Sequence, residues 1–174
     1  MATYIGFLRA INLGPTRKFA KASIVRAVEA AGFTDVATYI NTGNVRFDTT
    51  MRSRARIERA LEEAFEAGAG FEVPTIVFTQ KELREIAEHA ASFGHSGRHY
   101  VSLLKEAPSA ADVKRLEDAS TADEVAKVGG RAVHLLLGAN YHEARLTNAA
   151  VEKYLGVATN RNLTVIQALA EKWC

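Results

Sequence analysis

The sequence has a single cysteine, and that cysteine is the last residue, Cys174. No internal disulfide can form, so an oxidising compartment is not indicated, and a zinc site built on several cysteines is excluded. No apolar run approaches the roughly 20 residues that a transmembrane helix needs. Arg9 and Asn12 interrupt the first apolar segment, which does not resemble a signal peptide. We therefore expect a cytoplasmic protein without a membrane partner.

The sequence also lacks the short motifs of common enzymes. It contains no HExxH zinc motif, no GxSxG nucleophile elbow, no P-loop and no dinucleotide-binding fingerprint. His89, His95 and His99 lie close together in the sequence, but no cysteine or acidic cluster accompanies them, so we expect no metal there. His134 alternates with apolar residues, which is typical of a half-buried strand position. We therefore predict no cofactor and leave catalysis undecided.

The sequence does contain enough apolar residues, 48% of 174, to fill a core without disulfides. Its net charge is only +2, but the charge is unevenly distributed. Residues 1–59 hold ten Lys or Arg against four acids, a charge of +6, whereas residues 60–174 hold twelve against sixteen, a charge of −4. An anionic partner would therefore meet the first part of the chain.

Residues 1–79 carry the pattern of one small α+β domain. The pattern predicts strand, helix, strand, strand, helix and strand, at Thr3–Arg9, Phe19–Ala31, Val36–Ile40, Val45–Phe47, around Ile57–Phe65, and Glu72–Phe78. Pro74 in the last strand favours a sheet edge, where its missing donor costs no ladder bond. This order is the split βαβ arrangement of a ferredoxin-like unit.

Residues 80–174 partly repeat this order. A helix begins near Lys81, with Thr79 and Glu82 spaced as a capping box. The following pattern predicts a strand, a helix, a hairpin turning at Gly129 and Gly130, and two helices: Arg98–Leu104, Ala110–Ala119, Val125–Val128 with Ala132–Leu137, Thr147–Leu155, and Leu163–Trp173. We predict an α+β fold of two packed ferredoxin-like halves, residues 1–79 and 80–174, with additional C-terminal helices.

Three sequence blocks resemble a known family. They are FLRAINLG at Phe7–Gly14, YINTGNVRF at Tyr39–Phe47, and a C-terminal block comprising Leu146, Thr147, Asn148, Glu152, Lys153, Leu155, Gly156, Thr159, Arg161 and Asn162. In this order they resemble DUF1697, a family of bacterial proteins of unknown function. Ala10 stands where the family pattern has glycine, and Leu163 where many relatives carry tryptophan. The resemblance implies two ferredoxin-like α+β units and no reaction.

We expect a site for a small anionic or phosphorylated ligand at the basic end of the first half. If the first and third strands are parallel neighbours, the loop after the first strand lies beside the start of the second helix. That helix places its arginines first and its glutamates late, opposite to the order that the helix dipole favours. The candidate ligand-binding residues are Arg9, Asn12, Gly14, Arg17, Lys18, Arg52, Arg54 and Arg56. The alternatives are a solvated charged surface, or arginines paired with acids of the other half.

Two other polar motifs have structural explanations. Gly43 and Asn44 tolerate a positive φ and can close a hairpin, and we expect that turn at the sheet end opposite the basic loops. Asn162 can cap the last helix, and Arg161 can hold a neighbouring turn or a buried carboxylate. We therefore predict architectural roles for both motifs.

Two further functions stay open as alternatives. One is an enzyme whose site lies between the halves and includes Arg9, Asn12 and Arg161. The other is weak, salt-dependent binding of nucleic acid through the basic surface. RNA recognition motifs share the predicted topology, but Thr42 and Asn44 stand where their stacking aromatic side chains would be. This substitution argues against nucleic acid as the main partner.

Overall fold

A computed structural model describes all 174 residues, which form two α+β units. Unit 1 comprises Met1–Glu82 with Trp173, and unit 2 comprises Leu83–Lys172 with Cys174. The elements are β1 Ala2–Leu8, α1 Lys21–Ala30, β2 Thr34–Thr38, β3 Asn44–Thr49, α2 Arg54–Ala69, β4 Thr75–Thr79, α3 Gln80–Ser92, β5 Arg98–Leu104, α4 Ala110–Glu117, β6 Glu124–Gly129, β7 Ala132–Leu137, a 3-10 turn Tyr141–Glu143, α5 Asn148–Leu155, β8 Ala158–Asn162 and α6 Leu163–Trp173. The predicted α+β class is confirmed. None of the helices has the length and apolar character needed to span a membrane.

The sheet of unit 1 has the strand order β2-β3-β1-β4, and every neighbouring pair is antiparallel. The predicted parallel pairing of β1 and β3 is therefore wrong: Tyr4 lies opposite Phe47 in an antiparallel register. The crossover through α1 makes β2 run in the direction of β1, and the hairpin then reverses β3. The loop after β1 and the β2–β3 turn consequently share one sheet end, and α2 begins at the other.

The core of unit 1 lies where α1 and α2 cover one face of this sheet. The predicted apolar stripe of α2 is buried, with Ile57, Leu61 and Phe65 all at 0% exposure. The rings of Phe19 and Phe65 meet edge to face, with centroids 5.6 Å apart. Burying one such side chain contributes about 1.5–3 kcal/mol, so this stripe is a main source of the stability of unit 1.

Local polar signals set the ends of the helices. Ser53 accepts a hydrogen bond from the Arg56 N–H and begins α2. Gly70 ends that helix with a left-handed φ of 84°, a conformation that costs glycine little. The predicted capping box begins α3, because the Thr79 N–H donates to Glu82 Oε2 at 2.7 Å and the Glu82 N–H donates to Thr79 Oγ1 at 3.1 Å.

The sheet of unit 2 has the order β6-β7-β5-β8 and is also entirely antiparallel. The order repeats that of unit 1, with β5 in the place of β1 and β8 in the place of β4. The sequence pattern does not predict β8, whose residues ATNRN are mostly polar. With β8 present, α5 becomes the second helix of a complete ferredoxin-like unit, and α6 follows it.

Candidate anion-binding site

The first two family motifs meet at one end of unit 1. The Leu8 N–H donates to Gly43 O at 2.8 Å, and the side-chain Nδ2 of Asn12 donates to Asn41 O at 2.8 Å. The expectation that the β2–β3 turn lies opposite the basic loop is therefore wrong. We call the surface formed by residues 9–20 and 39–43 the joined loops.

Gly43 occupies the closest contact of the joined loops. Its φ is +85°, and a Cβ at this position would lie 2.7 Å from Leu8 Cβ and 3.0 Å from Ile11 Cδ1. Glycine is required both by the left-handed conformation and by the space. The next residue, Asn44, is buried and donates to Tyr39 O at 3.0 Å. These contacts give the turn a structural role.

Asn12 closes the loop after β1 upon itself. Its side chain donates to Phe19 O at 3.0 Å and accepts from the Phe19 N–H at 2.9 Å. Its backbone N–H donates to Arg17 O at 2.9 Å. Asn12 thus holds both the loop and the neighbouring turn.

Arg17 holds the same loop against the segment before β4. Its Nε donates to Ala10 O at 2.6 Å, its Nη2 donates to Glu72 O at 2.8 Å, and its guanidinium carbon lies 4.5 Å from the centre of the Phe71 ring. Two of the five N–H donors of the Arg17 guanidinium therefore bind backbone carbonyl groups of the protein itself. We assign Arg17 a positioning role in the joined loops.

The backbone of the joined loops is strained. Four of the five non-glycine residues with positive φ in the chain lie there: Ala10 at 58°, Asn12 at 54°, Arg17 at 56° and Ile40 at 50°. A left-handed conformation costs a non-glycine residue about 1–2 kcal/mol, and it is least expected for a β-branched residue such as Ile40. Strain of this kind clusters at functional sites and persists only where surrounding contacts enforce it.

The joined loops also present positive charge. Lys18 is exposed and makes no hydrogen bond or ion pair. Arg9 is partly exposed, and its backbone N–H donates to Pro74 O at 2.9 Å. Leu13, which is 75% exposed, adds an apolar side chain beside Gly14.

The remaining candidate residues lie at the opposite end of unit 1. Arg54 places Nη1 3.2 Å from the carboxylate of Glu58, which is buried and accepts the Val77 N–H at 2.9 Å. Arg52 and Arg56 are exposed and form no ion pair. The structure therefore brings together Arg9, Asn12, Gly14, Arg17 and Lys18, and separates them from Arg52, Arg54 and Arg56, because β1 and β3 are antiparallel.

The C-terminal family block fastens β8 to its neighbours. Asn148 donates to Ala158 O at 2.9 Å, and Glu152 accepts the Ala158 N–H at 3.3 Å. Arg161 is buried and donates to Thr159 Oγ1 at 2.9 Å, and burial lowers the pKa of Arg161 to about 10. These contacts give the block an architectural role.

Two histidines of unit 2 form a buried pair that the sequence analysis did not identify. His134 is completely buried, so the half-buried position predicted for it is wrong. His99 Nε2 lies 3.1 Å from His134 Nδ1, and His134 Nε2 has no partner. Burial, reinforced by the nearby His95, lowers the pKa of His99 to about 4. Burial, reinforced by His99 and His89, lowers the pKa of His134 to about 3.

Only the register of β5 and β7 shows that the two histidines are neighbours. His99 and Val101 lie on the same sheet face as His134, because Val101 is the antiparallel partner of His134. No group of three or more His, Cys, Asp or Glu residues is arranged to hold a metal ion.

Fold and loop geometry together define a protein of two ferredoxin-like α+β units, one of which ends in a strained basic surface. Residues 1–134 match the sequence model of DUF1697, a family described as proteins of unknown function. The chain belongs to this family, and the predicted resemblance is confirmed for the first two blocks; the C-terminal block lies outside the matched residues.

One solved structure shows the same fold over the whole chain. It is the conserved bacterial protein SP0830 from Streptococcus pneumoniae, with a TM-score of 0.78 and 20% sequence identity. The match covers 98% of this chain and 97% of that protein. No functionally curated protein matches the chain.

Proposed function

We propose that the protein binds a small anionic ligand carrying a phosphate group at the joined loops of unit 1. The observation that carries the proposal is a comparison with unit 2. There the Leu104 N–H donates to Arg131 O and the Lys105 N–H donates to Val157 O, both at 2.9 Å. These bonds reproduce those made by Leu8 and Arg9 in unit 1.

The two units reach this common closure with very different loops. Residues 105–109 connect β5 to α4, and none of them has a positive φ. Residues 9–20 connect β1 to α1 and include Gly14 at φ 117° besides three non-glycine left-handed residues. Closing the sheet end does not require the longer, strained loop. A binding role would account for the longer, strained loop.

Charge supports an anionic ligand. The joined loops contain no acidic residue, whereas they contain Arg9, Arg17 and Lys18. Turns that contain left-handed residues can form anion-binding concavities lined by peptide N–H groups, and the loop from Ala10 to Arg17 contains four such residues. Arg9 and Lys18 would supply the charge, while Asn12 and Arg17 would hold the loop in shape.

The test is a titration of the protein with inorganic phosphate and with a nucleoside monophosphate at millimolar concentration, followed by amide NMR shifts. We expect shifts at Ile11–Lys18. Because a charge-assisted hydrogen bond contributes about 1.5–3 kcal/mol, Arg9→Gln and Lys18→Gln should each weaken binding about tenfold or more. Arg56→Gln is the matched control, since it removes an exposed arginine at the other end of the same sheet.

Three results would contradict the proposal. One is the lack of any shift in the joined loops at millimolar ligand. Another is a response confined to residues 52–59, which would transfer the site to the start of α2. The third is equal weakening by Lys18→Gln and Arg56→Gln, which would indicate attraction to net positive charge alone.

A further inference from the structure

A cavity of about 450 Å³ lies in unit 2 where α5 begins. Its walls come from the segment after α4, the first residue of β6, and both ends of the segment 145–154. The polar side chains that line it are Thr121, Glu124, Arg145, Lys153 and Tyr154. We call it the α5 cavity. No residue of the joined loops lines it.

Two cations of the α5 cavity have no acidic partner in the protein. Arg145 and Lys153 form no ion pair and no side-chain hydrogen bond, and the contact of Lys153 is a cation–π approach of 5.9 Å to the Tyr154 ring. Lys153 has none of the contacts that Asn148 and Glu152 make with β8. The fold therefore does not account for Lys153.

Glu124 is the single acidic residue that lines the cavity, and one of its two carboxylate oxygens already accepts hydrogen bonds. Glu124 Oε1 accepts the backbone N–H groups of Arg145 at 2.7 Å and Leu146 at 2.8 Å. Glu124 Oε2 has no hydrogen bond, and Glu124 is one of the residues that line the cavity. The cavity thus combines a surplus of positive charge with one acceptor oxygen that a ligand hydroxyl could reach.

One further hydrogen-bond donor lines the cavity, and the start of α5 lies next to it. Thr121 Oγ1 accepts the N–H groups of Asp123 and Glu124, so its own proton is available to a ligand. Thr147 caps α5 by accepting the Ala150 N–H, which leaves the earlier N–H groups of the helix without intrahelical partners. These donors and the two cations favour an anion with several oxygen atoms.

We propose that the α5 cavity binds a small hydroxylated phosphate monoester. Its phosphate would contact Arg145 and Lys153, and a hydroxyl group would donate to Glu124 Oε2. Two cations suit the dianionic charge of a phosphate monoester better than a single carboxylate. The volume accommodates a molecule of the size of a sugar or polyol phosphate. This site is independent of the joined loops and stands without them.

The experiment is a residue-resolved NMR titration of the full chain with glycerol 3-phosphate, inorganic phosphate and glycerol. Glycerol 3-phosphate is expected to shift the amides of Leu146, Lys153 and Tyr154, inorganic phosphate to shift them at higher concentration, and glycerol to leave them unmoved. Arg145→Gln and Lys153→Gln should each weaken binding about tenfold. Both side chains are exposed and unpaired, so the variants should keep the thermal stability of the parent protein.

Two further variants sharpen the test. Glu124→Gln keeps an oxygen for the backbone N–H groups but loses the anionic acceptor, so it should reduce the preference for glycerol 3-phosphate over inorganic phosphate. Lys127→Gln is the matched control, because Lys127 is an exposed lysine of β6 that does not line the cavity. It should leave the affinity unchanged.

The outcomes separate the two proposed sites. Shifts in the joined loops without shifts around Lys153 would overturn the α5 site and leave the proposed function standing. Shifts around Lys153 that persist in Lys18→Gln would establish the α5 site by itself. Equal weakening by Lys153→Gln and Lys127→Gln would overturn the α5 site, because it would show unspecific charge attraction.

Discussion

The two units share one topology but fill it with different side chains. Seven of the eight phenylalanines of the chain belong to unit 1, and its core includes Phe19, Phe33, Phe47 and Phe65. The corresponding core of unit 2 contains no buried aromatic residue and is built from leucine, valine and alanine. The position of apolar residues along strands and helices therefore determines this topology, while the size of the side chains can vary.

The units protect their edge strands in a similar way. In unit 1, carboxylates of α2 accept two N–H groups of β4: Glu58 accepts from Val77 at 2.9 Å and Glu62 accepts from Thr75 at 3.1 Å. In unit 2, Glu117 at the end of α4 has a similar contact, accepting the Val128 N–H of β6 at 3.0 Å. Covering edge N–H groups in this manner removes templates for strand pairing with other chains.

The units differ most at one sheet end. The β6–β7 turn of unit 2 is open, since a Cβ on Gly130 would meet no atom within 4 Å, whereas the β2–β3 turn of unit 1 presses against the strained loop after β1. Three perturbations test how this contrast and the histidine pair of unit 2 affect stability.

The largest effect is expected from Gly43→Ala. The new Cβ would overlap Leu8 and Ile11, and alanine would be forced to a φ of +85°, so the free energy of unfolding should fall by about 4 kcal/mol. Gly130→Ala is the matched control in unit 2. Its φ is +56° in open space, so it should cost only about 1 kcal/mol. Thermal and urea unfolding followed by circular dichroism would measure both. Similar losses for the two variants would refute the crowding of the unit 1 turn.

A second contrast concerns pH, because all five histidines belong to unit 2. The folded pKa values of His99 and His134, about 4 and 3, lie below the unfolded value of 6.5. The unfolded state therefore binds more protons, and unit 2 loses stability as the pH falls below 6.5. Each histidine contributes up to about 1.4 kcal/mol per pH unit, so the loss by pH 5 is on the order of 3 kcal/mol.

Amide hydrogen exchange measures this loss unit by unit. Protection in β5 and β7 should fall between pH 6.5 and 5, a range above the ordinary pKa of carboxylates, while β1 and β3 keep theirs. The double variant His99→Leu, His134→Leu should remove the dependence, because apolar residues replace both partners. A parallel loss of protection in the two units would mean that the buried pair is not its source.

The sequence predicted the elements that depend on local signals. Leu163–Trp173 and its cap Asn162 agree with the structure at both ends, since the cap and the apolar periodicity lie within a few residues of each other. β8 was not predictable in this way. Its polar residues form a strand because they pair with β5, which lies far away in the sequence. The hydrogen bond from the Asn148 side chain to Ala158 O also holds this strand in place.

The candidate site was predicted only in part, for a topological reason. The prediction that Arg17 and Arg52 are neighbours depends on a parallel pairing of β1 and β3, and the antiparallel pairing of these strands separates the two arginines. The contact of Asn12 with Asn41 follows from the correct direction. The hydrogen bonds from Arg17 to two backbone carbonyl groups could not be predicted, because they depend on the folded path of the loop.

The smallest effect, and the one most specific to the strained loop, is expected from Ala10→Gly. Ala10 has a φ of 58°, a left-handed conformation that glycine adopts more readily than alanine. Glycine removes a left-handed penalty of about 1–2 kcal/mol but adds entropy to the unfolded chain, so the net gain in stability should be roughly 0.5–1 kcal/mol. Ala67→Gly, at an exposed position of α2, should instead cost about 1 kcal/mol, because glycine disfavours a helix. The sign of the change, read from urea midpoints of the two variants, is therefore the measurement. If Ala10→Gly destabilised the protein as much as Ala67→Gly, the loop would not be left-handed at this residue in solution, and the strain that distinguishes unit 1 from unit 2 would be reduced.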